Sequence, residues 1–234
     1  MNGGGVKIAI MQPYLFPYIG YFQLINAVDT FVIFNDVNYI QRGYINRNSI
    51  LLNGRPHRFT LEIVKASQNK LINEIEIGDN KLKILKTIKM AYRKAPYFQD
   101  VYPVIEKILF MEERNLSRFL VESLKEISRY LAIDTDFVNS SNIEKDNSLR
   151  SQDKIIDICK RLRAGTYINA IGGMSLYEKD RFSKEGICLN FLDSELIDYS
   201  QFDNEFVPSL SMIDVMMFNS RYSIMCMLNR YILL

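Results

Sequence analysis

The sequence is poor in the residues that carry most metal and nucleophilic chemistry. It contains a single histidine, His57, which excludes a histidine-rich zinc site and leaves only that residue for a Ser-His-Asp triad. His57 lies in a polar turn at residues 53–58, where exposure is the simpler interpretation. The three cysteines, Cys159, Cys188 and Cys226, are far apart and lack CxxC spacing. They indicate buried thiols in a reducing compartment, and the sequence predicts no metal site.

The sequence also lacks a charge surplus and a long hydrophobic run. Lys plus Arg number 29 against 27 for Asp plus Glu, which gives a net charge of +2 and does not favour a nucleic-acid partner. The apolar runs are too short to span a bilayer. Residues 1–5 are expected to form a flexible leader, because no basic segment followed by a long apolar one begins the chain. We therefore expect a cytoplasmic protein without a membrane span.

What the sequence does contain is a regular alternation of predicted strands and helices. Apolar runs predict strands at 6–12, 30–35, 135–138, 166–171 and 187–192. Helical spacing predicts helices between them at 17–28, 152–163 and 176–184, and a last helix after residues 208–211. This alternation is typical of an α/β fold with a doubly wound, mostly parallel sheet.

Two additions interrupt that alternation. A hairpin is predicted around Asn53-Gly54, with arms at 49–52 and 58–64. Helical patterns dominate residues 81–132, which we interpret as a helical insertion or subdomain. No Gly/Ser linker separates this block from the rest, so we expect one α/β domain over residues 1–234.

The strongest candidate for a ligand site lies in the first 50 residues. A strand ends at Gln12, a turn rich in Pro and Tyr follows, and a helix leads to a second strand that ends before Asp36. Such a unit is a βαβ motif, and ligands bind open parallel sheets where these strands end. We therefore expect the loop after the first strand to face a cleft that receives an anionic small molecule at a helix N-terminus.

Candidate catalytic and anion-binding residues follow the first two strands. The amide of Gln12 can donate and accept hydrogen bonds. Asp36 is a candidate general base that keeps an attacking amine unprotonated, the alternative being a chain-turning role. Arg42, Arg47 and Asn48 form a candidate group for phosphate or carboxylate, the alternative being a solvated loop.

Other candidate substrate-binding residues are aromatic or small. Tyr14 and Tyr18 offer faces on which a base or sugar can stack, although packing in the core is the alternative. Gly20 would let a ligand approach the helix closely, or would allow close packing of helix and sheet. Ser140 and Ser141 follow a later strand and are candidates for a phosphate-binding turn.

Seven short segments, spread over nearly the whole chain, resemble one known family. The segment at 12–22 reads Gln-Pro-Tyr-Leu-Phe-Pro-Tyr-Ile-Gly-Tyr-Phe, and it resembles the hallmark of the WbqC-like family. The other matching segments are 34–37, 44–48, 95–98, 140–141, 167–169 with 172–173, and 210–214. The family occurs among genes for cell-surface polysaccharides, especially O-antigens that carry acylated amino sugars. The resemblance therefore implies a pathway more firmly than a reaction.

The first βαβ unit also resembles the nucleotide-binding start of cytidylyltransferases and pantothenate synthetase. Those enzymes place a His-x-Gly-His motif between the first strand and helix, and the corresponding residues here are 16–21. Gly20 keeps the glycine of that motif, whereas other residues fill both histidine positions. Ser140-Ser141 is similar to their serine-rich phosphate turn. The resemblance implies a nucleotidyltransferase-like fold, but the missing histidines argue against adenylyl transfer.

Together these features lead us to expect an enzyme that forms an amide on a nucleotide-linked amino sugar. The acyl donor implied is a thioester or an amino acid activated by ATP. Two alternatives stay open: a nucleotidyltransferase-like enzyme of the same pathway, and a non-catalytic binding or assembly protein. The expected partner is a small-molecule nucleotide sugar, with a homodimer left open.

Overall fold

The computed structural model describes residues 5–203 and 205–234, so most of the expected leader lies outside the described residues. The strands in chain order are β1 (Val6–Met11), β2 (Thr30–Ile33), β3 (Arg47–Leu52), β4 (Arg55–Thr60), β5 (Ile63–Val64), β6 (Glu76–Ile77), β7 (Asp136–Asn139), β8 (Ala164–Ala170), β9 (Cys188–Ser194) and β10 (Tyr231–Leu233). The helices are α1 (Ile19–Asn26), α2 (Lys81–Tyr92), α3 (Phe98–Leu109), α4 (Leu116–Tyr130), α5 (Ser151–Arg161), α6 (Lys179–Lys184), α7 (Met212–Phe218) and α8 (Arg221–Met227).

Six of these strands form the central sheet, in the order β10-β9-β8-β1-β2-β7. The pairs β7–β2, β2–β1, β1–β8 and β8–β9 are parallel, and β10 runs antiparallel to β9. The chain starts at β1, builds outward to β7, and then returns to β8 and builds outward to the other edge. This order confirms the predicted α/β fold with a mostly parallel sheet, and it reverses between β1 and β8.

Apolar residues on both faces of the sheet explain why its strands lack an alternating pattern. In β1, Ile8 and Ile10 pack with α5 and α6 on one face, and Ala9 packs with α1 on the other. Parallel strands that are covered on both faces are continuously apolar, as the run Ile8-Ala9-Ile10 is. Because these strands are parallel, their carboxyl ends lie along one edge of the sheet.

The connection from β2 to β7 carries the predicted hairpin and the helical block. Helices α2, α3 and α4 occupy most of residues 81–132, and Ile88, Ile105 and Leu120 lie in the same core as Phe31 of β2. The expected single domain over residues 1–234 stays a prediction. None of the helices in the described part of the chain has the length and apolar character needed to cross a membrane.

Two local predictions differ from the structure. The second hairpin arm is predicted at 58–64, whereas β4 begins at Arg55 and joins β3 through a two-residue turn. Asn53 and Gly54 form this turn with positive φ, and Pro56 lies within β4 opposite Leu51. The sequence predicts one C-terminal helix, but this part of the chain forms two, α7 and α8, followed by β10. The helix breaks because Asn219 is extended and Ser220 then caps α8 by accepting from the Ser223 amide.

Candidate functional site

The main cleft lies at the carboxyl ends of β2 and β7, and has a volume of about 760 Å³. This volume lies within the range of small-molecule sites. Its polar and charged lining residues are Asp36, Asn38, Ser141, Lys145, Asn147, Arg150, Ser151 and Lys154. Its apolar and aromatic walls are Phe34, Val37, Leu71, Ile143, Leu149, Ile155, Leu176 and Tyr177. The cleft therefore combines an apolar body with a concentrated set of charges.

Strand register brings the polar residues of the cleft together. Ile33 of β2 pairs with Asn139 of β7, so the residues that follow each strand emerge side by side. The Ser140 hydroxyl donates to the Asp36 carboxylate, and the Asn35 amide donates to Ser140 Oγ at 3.2 Å. Lys145 Nζ lies 2.5 Å from Asp36 Oδ2, and its side chain is only 2% exposed. Lys145 also donates to the Ser140 carbonyl, which completes a buried polar network.

The environment of Asp36 decides what this carboxylate can do. Burial alone would raise its pKa, but hydrogen bonds from Lys145 and Ser140, with the positive charges of Lys145 and Lys154, hold the pKa below its usual value. A general base works best with a pKa near the operating pH. The ion-paired Asp36 therefore fits the hypothesis of a general base poorly, and it fits a role in holding Lys145 in place.

Positive charge dominates the cleft. Among the described residues that line it, three side chains are cationic and one is a carboxylate. Lys154 Nζ lies 5.6 Å from the centre of the Phe34 ring, and Arg150 immediately precedes α5. The start of α5, where Ser151 and Lys154 line the cleft, adds the positive end of the helix dipole. This arrangement suits an anionic ligand.

Sequence reasoning missed Lys145, Arg150 and Lys154. A usable signal was present for Arg150 and Lys154, since they flank the start of a predicted helix that follows a strand-end turn. The convergence of Lys145 with Asp36 depends on how the intervening loop folds. Of the predicted residues, Asp36 and Ser141 line this cleft, and Ser140 supports it from behind.

The predicted anion group at Arg42, Arg47 and Asn48 does not join this cleft. Arg42 is exposed, with φ of 62°, and Arg47 Nε donates to the Gly43 carbonyl at 2.8 Å. The Asn48 amide donates to the carbonyls of Leu15 and Phe16, at 3.1 and 2.7 Å. Asn48 therefore fixes the backbone of the loop after β1.

The loop after β1, which we expected to face an anion cleft, does not line the main cleft. Pro13, Leu15, Phe16 and Pro17 are buried, none of them lines the main cleft, and the cavity beside that loop has no charged lining residue among those described. Gln12 is half-buried, and its carbonyl accepts the Tyr21 hydroxyl at 2.7 Å. Gln12 does not line the main cleft. The anion site supported by the structure lies one strand further along the sheet.

Next to this loop lies a second, smaller cavity, which we call the tyrosine hollow. Its volume is about 230 Å³, and it is lined by Tyr14, Pro17, Tyr18, Tyr44, Asn48 and Ser209. Gly20 borders it indirectly: a Cβ there would lie 2.4 Å from the Tyr18 ring. Gly20 thus makes room for the Tyr18 ring. Sequence reasoning missed Tyr44 and Ser209 as lining residues.

An uncharacterized protein of Mycobacterium tuberculosis (strain ATCC 25618 / H37Rv), Rv1507c, is 28% identical over 215 residues, which cover 90% of this chain and 92% of that protein. No solved structure matches the chain significantly. The sequence model of the WbqC-like protein family matches residues 12–225, which include both cavities. The chain therefore belongs to the WbqC-like protein family.

Proposed function

We propose that this protein is an enzyme of surface-polysaccharide biosynthesis that binds a nucleotide-linked amino sugar in the main cleft and forms an amide on it. The observation that carries the proposal is that one cleft combines positive charge with aromatic walls. Lys154, Arg150 and the first turn of α5 offer positive charge to a diphosphate. Phe34 and Tyr177 offer apolar faces to a base or sugar ring.

The proposed reaction joins the sugar amine to an activated acyl group. The amine nitrogen attacks the acyl carbon, a C–N bond forms, and the bond to the thiolate or phosphate leaving group breaks. The amine proton passes to solvent or to the leaving group. Lys145, paired with Asp36, would stabilise negative charge on the acyl oxygen, while the cleft holds the reactants together.

One observation favours a second candidate, a non-catalytic binding protein. Asp36 is already paired with Lys145, and the described lining residues include no histidine that could act as a base. His57 lies exposed on β4, outside the cleft, which also weighs against the nucleotidyltransferase-like alternative. A homodimer stays an open alternative, and the fold subtype and cytoplasmic location stay predictions.

Removing two cations from the cleft is expected to weaken nucleotide binding. The double variant Arg150→Ala/Lys154→Ala should bind UDP and UDP-N-acetylglucosamine at least about tenfold more weakly, because two charge-assisted contacts are lost. Isothermal titration calorimetry measures this change. Lys86→Ala, on the exposed face of α2, serves as the matched control and should bind like the wild type. Equal affinity of the double variant would place the nucleotide elsewhere.

The products separate the three candidate functions. The protein is incubated with nucleotide-linked amino sugars, acyl thioesters, amino acids and ATP, and mass spectrometry follows new amides. A new amide supports the proposal. Pyrophosphate release from a nucleoside triphosphate and a sugar phosphate would support a nucleotidyltransferase. Tight nucleotide-sugar binding without any product would support the non-catalytic candidate.

A further inference from the structure

We infer that the tyrosine hollow is a second binding site, separate from the main cleft, and that it takes a neutral pyranose ring of a carbohydrate. The hollow lies beside the loop after β1, where Tyr14, Tyr18 and Tyr44 surround it. The ring centres of Tyr14 and Tyr44 are 6.2 Å apart, with the planes tilted by 47°. Tyr18 and Tyr44 are 41% and 61% exposed, so solvent reaches their faces.

The walls of the hollow are fixed by hydrogen bonds to the loop after β1. The Asn48 amide holds the carbonyls of Leu15 and Phe16, and Ser211 Oγ donates to the same Phe16 carbonyl at 2.8 Å. The Met212 amide donates to the Pro17 carbonyl at 2.8 Å. Two distant parts of the chain therefore clamp this short loop. A cavity held in this way binds with a smaller cost of ordering its walls.

The position of Tyr18 is set just as closely. Its ring lies across Gly20, where an added methyl group would come within 2.4 Å of the ring carbon Cε2. Tyr14 is supported from behind by the Tyr21 ring at 5.6 Å, and Tyr21 is anchored through its hydroxyl to the Gln12 carbonyl. Two of the three aromatic faces are thus preorganised.

The chemistry of the lining selects the class of ligand. Among the described residues that line the hollow, none is charged, so an ion finds no counter-charge there. Asn48 has the one side-chain amide in this lining, and both hydrogen bonds from its Nδ2 go to loop carbonyls. Its Oδ1 accepts from the Ser49 backbone amide at 2.8 Å, so little of this side chain is left to recognise the edge of a nucleobase. The groups that remain are phenol and serine hydroxyls, which both donate and accept.

A pyranose ring matches this combination of groups. Its C–H face packs on aromatic rings, and its hydroxyls meet hydroxyls that can play either hydrogen-bonding role. Burial raises the pKa of the Tyr14 and Tyr18 hydroxyls, so both keep their protons as donors. A neighbouring cavity of about 290 Å³ shares Tyr18 and Ser209 with the hollow and continues to Asp193 and Glu195. Asp193 there can accept the hydroxyls of a second sugar unit, whereas Glu195 is already paired with Arg230 at 3.0 Å.

The test uses methyl glycosides of glucose, galactose and N-acetylglucosamine, and the disaccharide chitobiose, in saturation-transfer NMR and calorimetry with the full chain. We expect at least one probe to bind, and Tyr44→Ala to weaken it about tenfold by loss of one stacking face. Tyr44→Phe, which keeps that face, should bind more tightly than Tyr44→Ala. Gly20→Ala should also weaken binding, because the methyl group displaces the Tyr18 ring. Tyr222→Ala, at an exposed tyrosine on α8, is the matched control and should bind like the wild type.

Two results would overturn the inference. One is the absence of saturation transfer to every probe at about 10 mM. The other is equal binding by the wild type and Tyr44→Ala, a residue exposed enough that its truncation leaves the fold intact. UDP binding by Tyr44→Ala, and glycoside binding by Arg150→Ala/Lys154→Ala, are measured in parallel. The failure of this inference is thereby distinguishable from the failure of the proposed function.

Discussion

Replacing Lys145 by methionine is expected to lower the free energy of unfolding by about 4 kcal/mol. Lys145 is 2% exposed and Asp36 is 12% exposed, so both charges of this pair have been removed from most of their water. Methionine leaves the Asp36 carboxylate without its main partner in that environment. Breaking a buried pair from one side is costly because the remaining charge is not compensated. Urea denaturation at pH 7, followed by circular dichroism, measures the change.

A double variant identifies the cause of that loss. Asp36→Leu/Lys145→Met removes both charges and should recover most of the lost stability, because a hydrophobic pair often matches a buried ion pair. Lys125→Met is the control, since Lys125 pairs with Glu122 on the exposed surface of α4. That pair should be worth less than about 1 kcal/mol. A Lys145→Met variant as stable as the wild type would show that the pair contributes nothing.

The same pair has a defined dependence on pH. Because folding lowers the pKa of Asp36, its contribution is present above the ordinary value of 3.8 and is lost as the pH falls through the folded pKa. Acid should therefore unfold the wild type more readily than the double variant, relative to their stabilities at pH 7. Denaturation midpoints measured between neutral and acidic pH test this order.

The sheet could be predicted from sequence because most of its strands have a recognisable local pattern. Runs such as Ile8-Ala9-Ile10 are apolar on both faces, which a buried parallel strand requires. The C-terminal strand β10 could not be predicted in the same way. It has three residues at the edge of the sheet, and Ile232 and Leu233 are about half exposed, so burial leaves little trace in its sequence.

The site residues that follow strand ends were predicted, whereas those positioned by loops were missed. Asp36 and Ser141 follow adjacent parallel strands, so a general rule places them in one cleft. The loop after β1 follows the same rule but lies outside the main cleft, and Asn48 and Ser211 bind its carbonyls from 32 and 195 residues away. Such long-range contacts leave no local pattern. The pairing of Lys145 with Asp36 could not be predicted for the same reason.

A buried carboxylate at the start of α7 shows the same limit. The spacing of Ser211 and Asp214 resembles a capping box, and Ser211 does cap α7 by accepting from the Ile213 amide at 3.2 Å. The Ser211 amide, however, donates to the Ser49 carbonyl, so the Asp214 side chain is free to bind elsewhere. It accepts hydrogen bonds from Tyr92, Tyr199 and Gln201, at 2.7, 2.8 and 2.7 Å.

Replacing Asp214 by alanine is expected to lower the free energy of unfolding by about 4 kcal/mol, because two tyrosine hydroxyls and one amide lose their shared acceptor inside the core. Tyr199→Phe, which removes one donor and leaves the acceptor, should cost about 1 kcal/mol. Urea denaturation of both variants measures the difference. A loss below that of Tyr199→Phe would show that Asp214 does not hold this network together.

Titration of Asp214 should act in the opposite sense to that of Asp36. Burial raises the pKa of Asp214, although the hydrogen bonds from Tyr92, Tyr199 and Gln201 oppose the rise. The folded state therefore keeps this proton longer than the unfolded chain does, so stability falls as the pH rises from 3.8 through the folded pKa. Asp214→Asn carries no titrating proton and should lose that decline. If the wild type and Asp214→Asn change stability in parallel over this range, the carboxylate is not the group that titrates.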